Sequence, residues 1–276
     1  MCRWISYQGN PIPLEVLLVE PEYSLITQSM ASRLGPNPTN GDGFGVGWFG
    51  RNNDPGVYRS IFPAWSDTNL NQLAHHIESP LFIAHIRRST GTAVQQTNCH
   101  PFQHNNWIFV HNGLIRGFQK IRRDLVVAID PKYFPEIRGN TDSELIFFLA
   151  LTFGLEKEPI AAVEKAIGFI ESLAYAQGEE HPIQMTLGFS DGQYLYAIRY
   201  SSEGDSRTLF HSDDISALRK LYPSGTRVDL FEEKARAVVS EPLSELPGIW
   251  KPIPESTALT MLDGEIQMQG FSPRAP

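Results

Sequence analysis

An α+β fold, with helices packed on antiparallel sheets, is what the order of elements predicts: strand-like runs, then two helices, then strand-like runs again. Two further observations point the same way. The strand-like runs are short, and Asp191-Gly192 between two of them is a hairpin signal. Thr141-Asp142-Ser143-Glu144 carries N-cap residue types with an acid in the first turn, and it leads into the apolar run LIFFLALTF.

In chain order, residues 2–7 and 44–49 read as strands, the second rich in glycine and aromatics. Residues 24–33 and 69–77 read as helices. Residues 81–87 and 107–111 are apolar runs of strand length, enriched in β-branched and aromatic side chains. One helix begins near Thr141 and another covers residues 159–176. Strand-like runs follow at 185–190, 194–200, 208–211, 235–240, 257–262 and 265–269. No repeat, low-complexity block or linker-like stretch interrupts the series.

The 276 residues are enough for a sizeable core and suit one large domain or two small ones. The formal charge of -8 argues against nucleic acid as the main partner, because phosphate binding needs a basic face. No apolar run approaches the roughly 20 residues of a membrane span, and the first residues lack the pattern of a signal peptide. Two cysteines cannot build a disulfide framework, which fits a reducing cytoplasm.

Four features carry possible chemistry. Removal of Met1 would make Cys2 the first residue, with thiol and free α-amine on one carbon framework. An α-amine has a pKa near 7.7–8.0 and a thiol one near 8.5. The amine can therefore take the thiol proton, as in other N-terminal nucleophiles. The plainer reading of Cys2 is a small apolar residue starting an inner strand. The segment LFIAHIRRSTG ends a strand in Arg87 and Arg88, and a guanidinium there can grip a carboxylate bidentately or merely form a surface ion pair. In WIFVHNG, Asn112 and Gly113 can present a side-chain amide and a backbone N–H side by side as an oxyanion hole, or form an ordinary turn. Asp142 can hold an ammonium group, or complement a helix dipole.

Taken together these features resemble the glutaminase domain of class II glutamine amidotransferases. MCRW, GDGFGVGWF, AHIRRSTG, NCHPF, HNG and GNTDSE occur in the family's order, and the later VVSEPL and LPGIWKPIPESTALTM are similar to the C-terminal strands of its stand-alone members. More narrowly the chain resembles the stand-alone members, among them the γ-glutamyl amidase of ergothioneine synthesis and its relative in glutathione breakdown. The resemblance implies a four-layer αββα sandwich of the N-terminal-nucleophile type, with all 276 residues forming one such domain. It further implies that Cys2 attacks the γ-carbonyl of a glutamine-like substrate with its α-amine as base. Asn112 and Gly113 would hold the oxyanion, Arg87 the α-carboxylate and Asp142 the α-amine, with Thr90 lining the pocket. No metal or organic cofactor is expected, and a form retaining Met1 is expected to be inactive.

The sequence departs from the sugar-amidating members at Arg88, where they often carry Trp. Arg88 could read an extra acid on a larger γ-glutamyl substrate or point to solvent. No acceptor-binding module is evident, so ammonia transfer would need a separate synthase subunit; a homodimer is another possible assembly. The basic run at 116–123 could dock such a partner or form a solvated face. A metal-dependent hydrolase is the rival chemistry, because six of eight histidines (His75, His76, His85, His100, His104, His111) fall within 37 residues. Pro101 and the absence of an acid between Glu78 and Asp124 weaken it, leaving structural histidines, with His111 bracing the Asn112 turn.

Overall fold

The computed structural model describes residues 2–34, 39–50, 54–89, 91–222, 226–246 and 248–276. In chain order, β1 (Arg3–Pro13) leads through α1 (Glu15–Leu18) and α2 (Leu25–Met30) to β2 (Phe44–Phe49) and β3 (Pro55–Ser60). Next come α3 (Thr68–His76), β4 (Glu78–Ile86), β5 (Phe102–His104) and β6 (Trp107–Ile115). Three helices follow, α4 (Phe118–Ala128), α5 (Asp142–Thr152) and α6 (Pro159–Ala176). The chain then forms β7 (Ile183–Ser190), β8 (Leu195–Ser201), β9 (Phe210–Ser212), α7 (Ile215–Arg219), β10 (Arg236–Val239), β11 (Trp250–Pro252), β12 (Thr257–Leu262) and β13 (Glu265–Gly270).

Two antiparallel sheets result. One has the order β11-β9-β10-β1-β4-β2-β3 and the other β13-β12-β8-β7-β6-β5. Side-chain alternation along each strand sorts residues into separate apolar layers. Trp4, Leu81, Ile83, Ile108, Val110, Val238 and Leu259 meet between the sheets. Ile5, Tyr7, Phe82, Ala84 and Ile86 face outward from the first sheet onto α1, α2, α3 and α7. Phe109, Met185, Leu187 and Phe189 face outward from the second onto α4, α5 and α6. The layering is therefore helix, sheet, sheet, helix, the αββα arrangement.

Several boundaries differ from the sequence expectation for physical reasons. The strand at residues 2–7 runs on to Pro13, past a register irregularity between Gln8 and Ile12 where it pairs β4. The expected 24–33 helix is capped by Ser24, whose side chain accepts the Thr27 N–H, but it closes at Met30 because Ala31 leaves the helical backbone conformation. The basic run forms α4, whose Phe118, Ile121 and Leu125 are buried at helical spacing, so its charges lie on the outer face. Arg116 pairs with Glu203 and Lys120 with Glu179 there. Asp191-Gly192 makes the predicted hairpin, with Asp191 Oδ1 accepting the N–H groups of Gln193 and Tyr194. Among the described residues no helix is long and apolar enough to cross a membrane.

Phe109 is fully buried and stacks on Phe147 at 5.1 Å and lies 6.0 Å from Phe189, joining β6 to α5. Phe109→Ala is expected to destabilise the protein by about 3–5 kcal/mol, through lost transfer energy and the cavity left behind. Urea denaturation measures it; a loss under about 1 kcal/mol would show that the layer closes over the gap.

Candidate active site

The pleat brings the chemistry-bearing residues to one end of the inter-sheet layer. Cys2 precedes Trp4 by two residues and so shares its inward face; His85 and Arg87 continue the inward series of Leu81 and Ile83. In the second sheet Asn112 continues the inward series of Ile108 and Val110. Pairing of β1 with β4 sets Arg3 opposite Ile86, which carries Cys2 to Arg87 and Arg88 across the strand ends. Cys2, Arg87, Arg88, Asn112, Gly113 and Asp142 line one cleft of about 530 Å³ that opens to solvent.

Cys2 is held from both sides. Its Sγ accepts the Arg88 N–H at 3.3 Å and lies 3.5 Å from the Arg88 carbonyl. Burial pushes the thiol above its usual pKa, opposed by the Arg88 N–H and by the charges of Arg87 and Arg3. Burial thus favours the neutral thiol over the thiolate. Arg3 fixes the backbone here: it forms a buried ion pair with Glu241 and donates to the Cys2 carbonyl at 2.9 Å. Glu241 also accepts the N–H groups of Arg33 and Leu34, each at 2.9 Å.

Asn112 and Gly113 lie inside β6 rather than in a turn. The Asn112 amide is buried at the cleft wall and makes no hydrogen bond to the described residues. Arg116 N–H points to β7, bonding Pro182 O at 2.8 Å, whereas Ile115 N–H points the other way, to Asp142 Oδ2 at 2.9 Å. Alternation directs the Gly113 N–H like that of Ile115. β5 pairs β6 only from Trp107 to Phe109, so this edge is open at Gly113. Two free donors thus border the cleft beside Cys2. Only glycine fits at 113, because a Cβ would lie 1.9 Å from Gln184 O and 2.5 Å from His111 Nε2.

Arg87 is 3% exposed, and its guanidinium reaches only neutral oxygens among the described residues: Thr92 Oγ1 at 2.7 Å, and Ser89 Oγ and the carbonyls of Asp42 and Ala93 at 3.3–3.4 Å. A buried cation with no facing carboxylate is suited to receive one. Asp142 opens α5, where Thr141 caps Glu144 N–H. Its Oδ1 accepts the Ser143 N–H at 2.8 Å while Oδ2 holds Ile115, leaving a carboxylate at the cleft rim. Glu144 does not reach back to the cap residue as in a capping box; it holds the N–H groups of Arg138 and Gly139 instead. Arg88 donates to the Thr39 carbonyl at 3.1 Å and is half-buried. Thr90 lies outside the described residues.

The histidines separate into two kinds. His75 and His76 end α3, and His104 pairs with Glu136. His85, His100 and His111 are buried, with the first two rings 4.1 Å apart between centroids. His111 Nδ1 meets Ser143 Oγ at 2.8 Å, so it braces the first turn of α5 from β6. Among the described residues no group of three or more histidine, cysteine or acidic side chains is arranged to hold a metal ion. Sequence reasoning missed Arg207, Gln184 and His100, which also line the cleft. The signal for Gln184 would have been pairing of β7 with β6, and for Arg207 the tether of Thr208 to Ser240, neither of which a local pattern announces.

Burial lowers the imidazoles of His85, His100 and His111, and that of His211 as well; His85 falls to about 3, with Arg87's charge adding to the effect there, and for His111 the Asp142 carboxylate opposes it. The unfolded chain takes these protons near pH 6.5. Below that pH the unfolded state binds more protons than the folded one, for His85 down to about 3, so stability is full above about 6.5 and falls as the pH drops. His85 contributes about 1.4 kcal/mol per pH unit across its window, and the other lowered histidines act in the same direction. Urea midpoints at pH 7, 6 and 5 should fall progressively, by more than about 2 kcal/mol between pH 6.5 and 5. A flat profile would mean that these rings accept protons in the folded protein.

Comparison with known proteins agrees with this geometry. The sequence profile of the class-II glutamine amidotransferases matches residues 18–275. The probable glutamine amidotransferase DUG3 of Saccharomyces cerevisiae is 32% identical over 291 residues, covering 95% of this chain and 82% of that protein. A γ-glutamyl-hercynylcysteine sulfoxide hydrolase of Mycolicibacterium smegmatis is 33% identical over 120 residues; the match spans 42% of this chain and about half, 52%, of that relative. The solved structure of a glutamine aminotransferase class-II domain protein from Silicibacter pomeroyi superposes with a TM-score of 0.73 at 32% identity, covering 99% of this chain and 100% of that one. The glutamine phosphoribosylpyrophosphate amidotransferase of B. subtilis, at 13% identity and a TM-score of 0.65, shares the fold over 50% of its length. Fold, cleft and sequence thus converge: this chain belongs to the class-II glutamine amidotransferases.

Proposed function

We propose that this enzyme hydrolyses the side-chain amide of glutamine or of a γ-glutamyl compound through a thioester on Cys2, with all 276 residues forming one amidase domain. The observation that carries the reading is the meeting of Cys2, the free Asn112 and Gly113 donors, the carboxylate-free Arg87 and Asp142 around one cleft. The names of the two relatives, a probable glutamine amidotransferase and a γ-glutamyl hydrolase, support the substrate class.

In this reading Arg87 grips the substrate α-carboxylate bidentately and Asp142 holds its α-ammonium. These contacts fix the γ-carbonyl at Cys2 and convert attack into a positioned, effectively unimolecular step. Removal of Met1 frees the Cys2 α-amine, which takes the thiol proton as sulfur adds to the carbonyl carbon. The oxyanion forms against the Asn112 amide and the Gly113 N–H, placed in advance on a rigid strand. The amine then returns its proton to the leaving nitrogen as the carbon–nitrogen bond breaks. Water, deprotonated by the same amine, adds to the thioester; expulsion of the thiol releases the γ-carboxylate. Both cysteines are free thiols, consistent with a reducing compartment such as the cytoplasm.

Cys2→Ala is expected to abolish turnover of glutamine and γ-glutamyl amides while the unfolding midpoint stays close to that of the parent. Retained turnover would sink the thioester route. Arg87→Lys should raise KM at least tenfold with a smaller change in kcat, because Lys cannot reproduce the two-pronged grip; an unchanged KM removes Arg87 from that role. Intact mass, followed by peptide mapping after a glutamine-analogue affinity label, tests the free α-amine: label on Cys2 is expected only in protein lacking Met1.

A further inference from the structure

Arg207 also lines this cleft and plays no part in the reaction just described. Its Nε is buried without a hydrogen-bond partner, and its side chain makes no ion pair with the described residues. Its neighbours are pinned. Ser206 N–H donates to Glu255 at 3.0 Å, Ser206 Oγ accepts from Arg199 Nε at 2.9 Å, and Thr208 Oγ1 donates to the Ser240 carbonyl at 2.9 Å. An arginine on a fixed backbone, half-buried and unpaired, is a charge held ready for an anion.

Its position says which part of a substrate it meets. Strand β1 runs between β4 and β10. Arg87 extends from the β4 side of Cys2. Arg207 is tethered through Thr208 to Ser240, which follows β10 and bonds Trp4 on the opposite flank of β1. In the second sheet Asp142 reaches the cleft over the open edge of β6, whereas the segment carrying Arg207 approaches from the β8 side, where Gln184 of β7 donates to the Asp205 carbonyl at 3.1 Å. The two cationic side chains therefore flank Cys2 from opposite sides. A substrate anchored by its glutamyl head at Arg87 and Asp142, with its carbonyl at Cys2, directs its leaving amine toward Arg207.

We infer that Arg207 is a specificity-determining residue that binds a carboxylate on the leaving amine, so that the preferred substrates are γ-glutamyl amides of amino acids or peptides rather than free glutamine. The inference rests on the γ-glutamyl hydrolysis proposed above and adds what lies beyond the scissile bond.

The test compares γ-glutamylglycine with the neutral γ-glutamylethylamide in protein lacking Met1. The kcat/KM ratio is expected to favour γ-glutamylglycine by about tenfold or more, the scale of one charge-assisted contact. It should shrink in 1 M salt, collapse toward one in Arg207→Gln, and be partly kept in Arg207→Lys. A parent ratio near one, or an undiminished ratio in Arg207→Gln, overturns the assignment. If Arg207→Gln fails to fold, as judged by circular dichroism, the salt dependence and the Arg207→Lys ratio decide it: a ratio unmoved by both overturns it. Hydrolysis of neither compound by the parent would remove the underlying activity, an outcome distinct from hydrolysis of both at equal rates.

Discussion

The pleat of β1 is the constraint on which the rest depends. Because successive side chains alternate between faces, Trp4 enters the inter-sheet layer while Ile5 and Tyr7 join the outer one, and Cys2 can stand only on the inner face. A slip of one residue against β4 would invert this assignment and turn the thiol away from Asn112. The register is fixed on both edges, by β4 and by β10. At the open end, where pairing stops, the buried Arg3–Glu241 pair takes over and ties Cys2 to the Arg33-Leu34 backbone. Such a pair adds little net stability after desolvation, but breaking it is costly. Here its use is positional.

The two sheets contribute different kinds of chemistry. In the proposed reaction the first supplies the thiol proton and a cation, through Cys2 and Arg87. The second supplies fixed dipoles, through Asn112 and Gly113, on a strand whose close contact with β7 excludes any side chain at 113. Asp142 joins them because the first turn of α5 is bound to β6 at two points, Ile115 N–H and His111 Nδ1 through Ser143. The three neutral imidazoles beneath the site keep that region nearly free of compensating charge, so the guanidinium of Arg87 stays available to a ligand.

Much of the site was legible because its residues are local to strand ends and helix starts. Alternation alone places Arg87 inward from Leu81 and Ile83, and the Thr141 cap announces α5. The fold class was legible from the order of elements. What escaped has identifiable causes. β11 has three residues, too short for any periodic signal. β3 begins with Pro55-Gly56, which reads as a turn, and survives because Pro55 pairs only Phe49 at the edge of its sheet. The charges of α4 hide its apolar stripe. Arg207 became visible only in three dimensions, because its neighbours in the cleft are at least 23 residues away in sequence, beginning with Gln184.

The raised pKa of the Cys2 thiol has a consequence for chemical durability. Peroxides and alkylating agents react with thiolates far faster than with thiols. In the proposed mechanism a thiol kept protonated by burial presents little thiolate to such reagents between turnovers. The same desolvation that makes a base necessary in that mechanism also shelters the sulfur from solvent reagents.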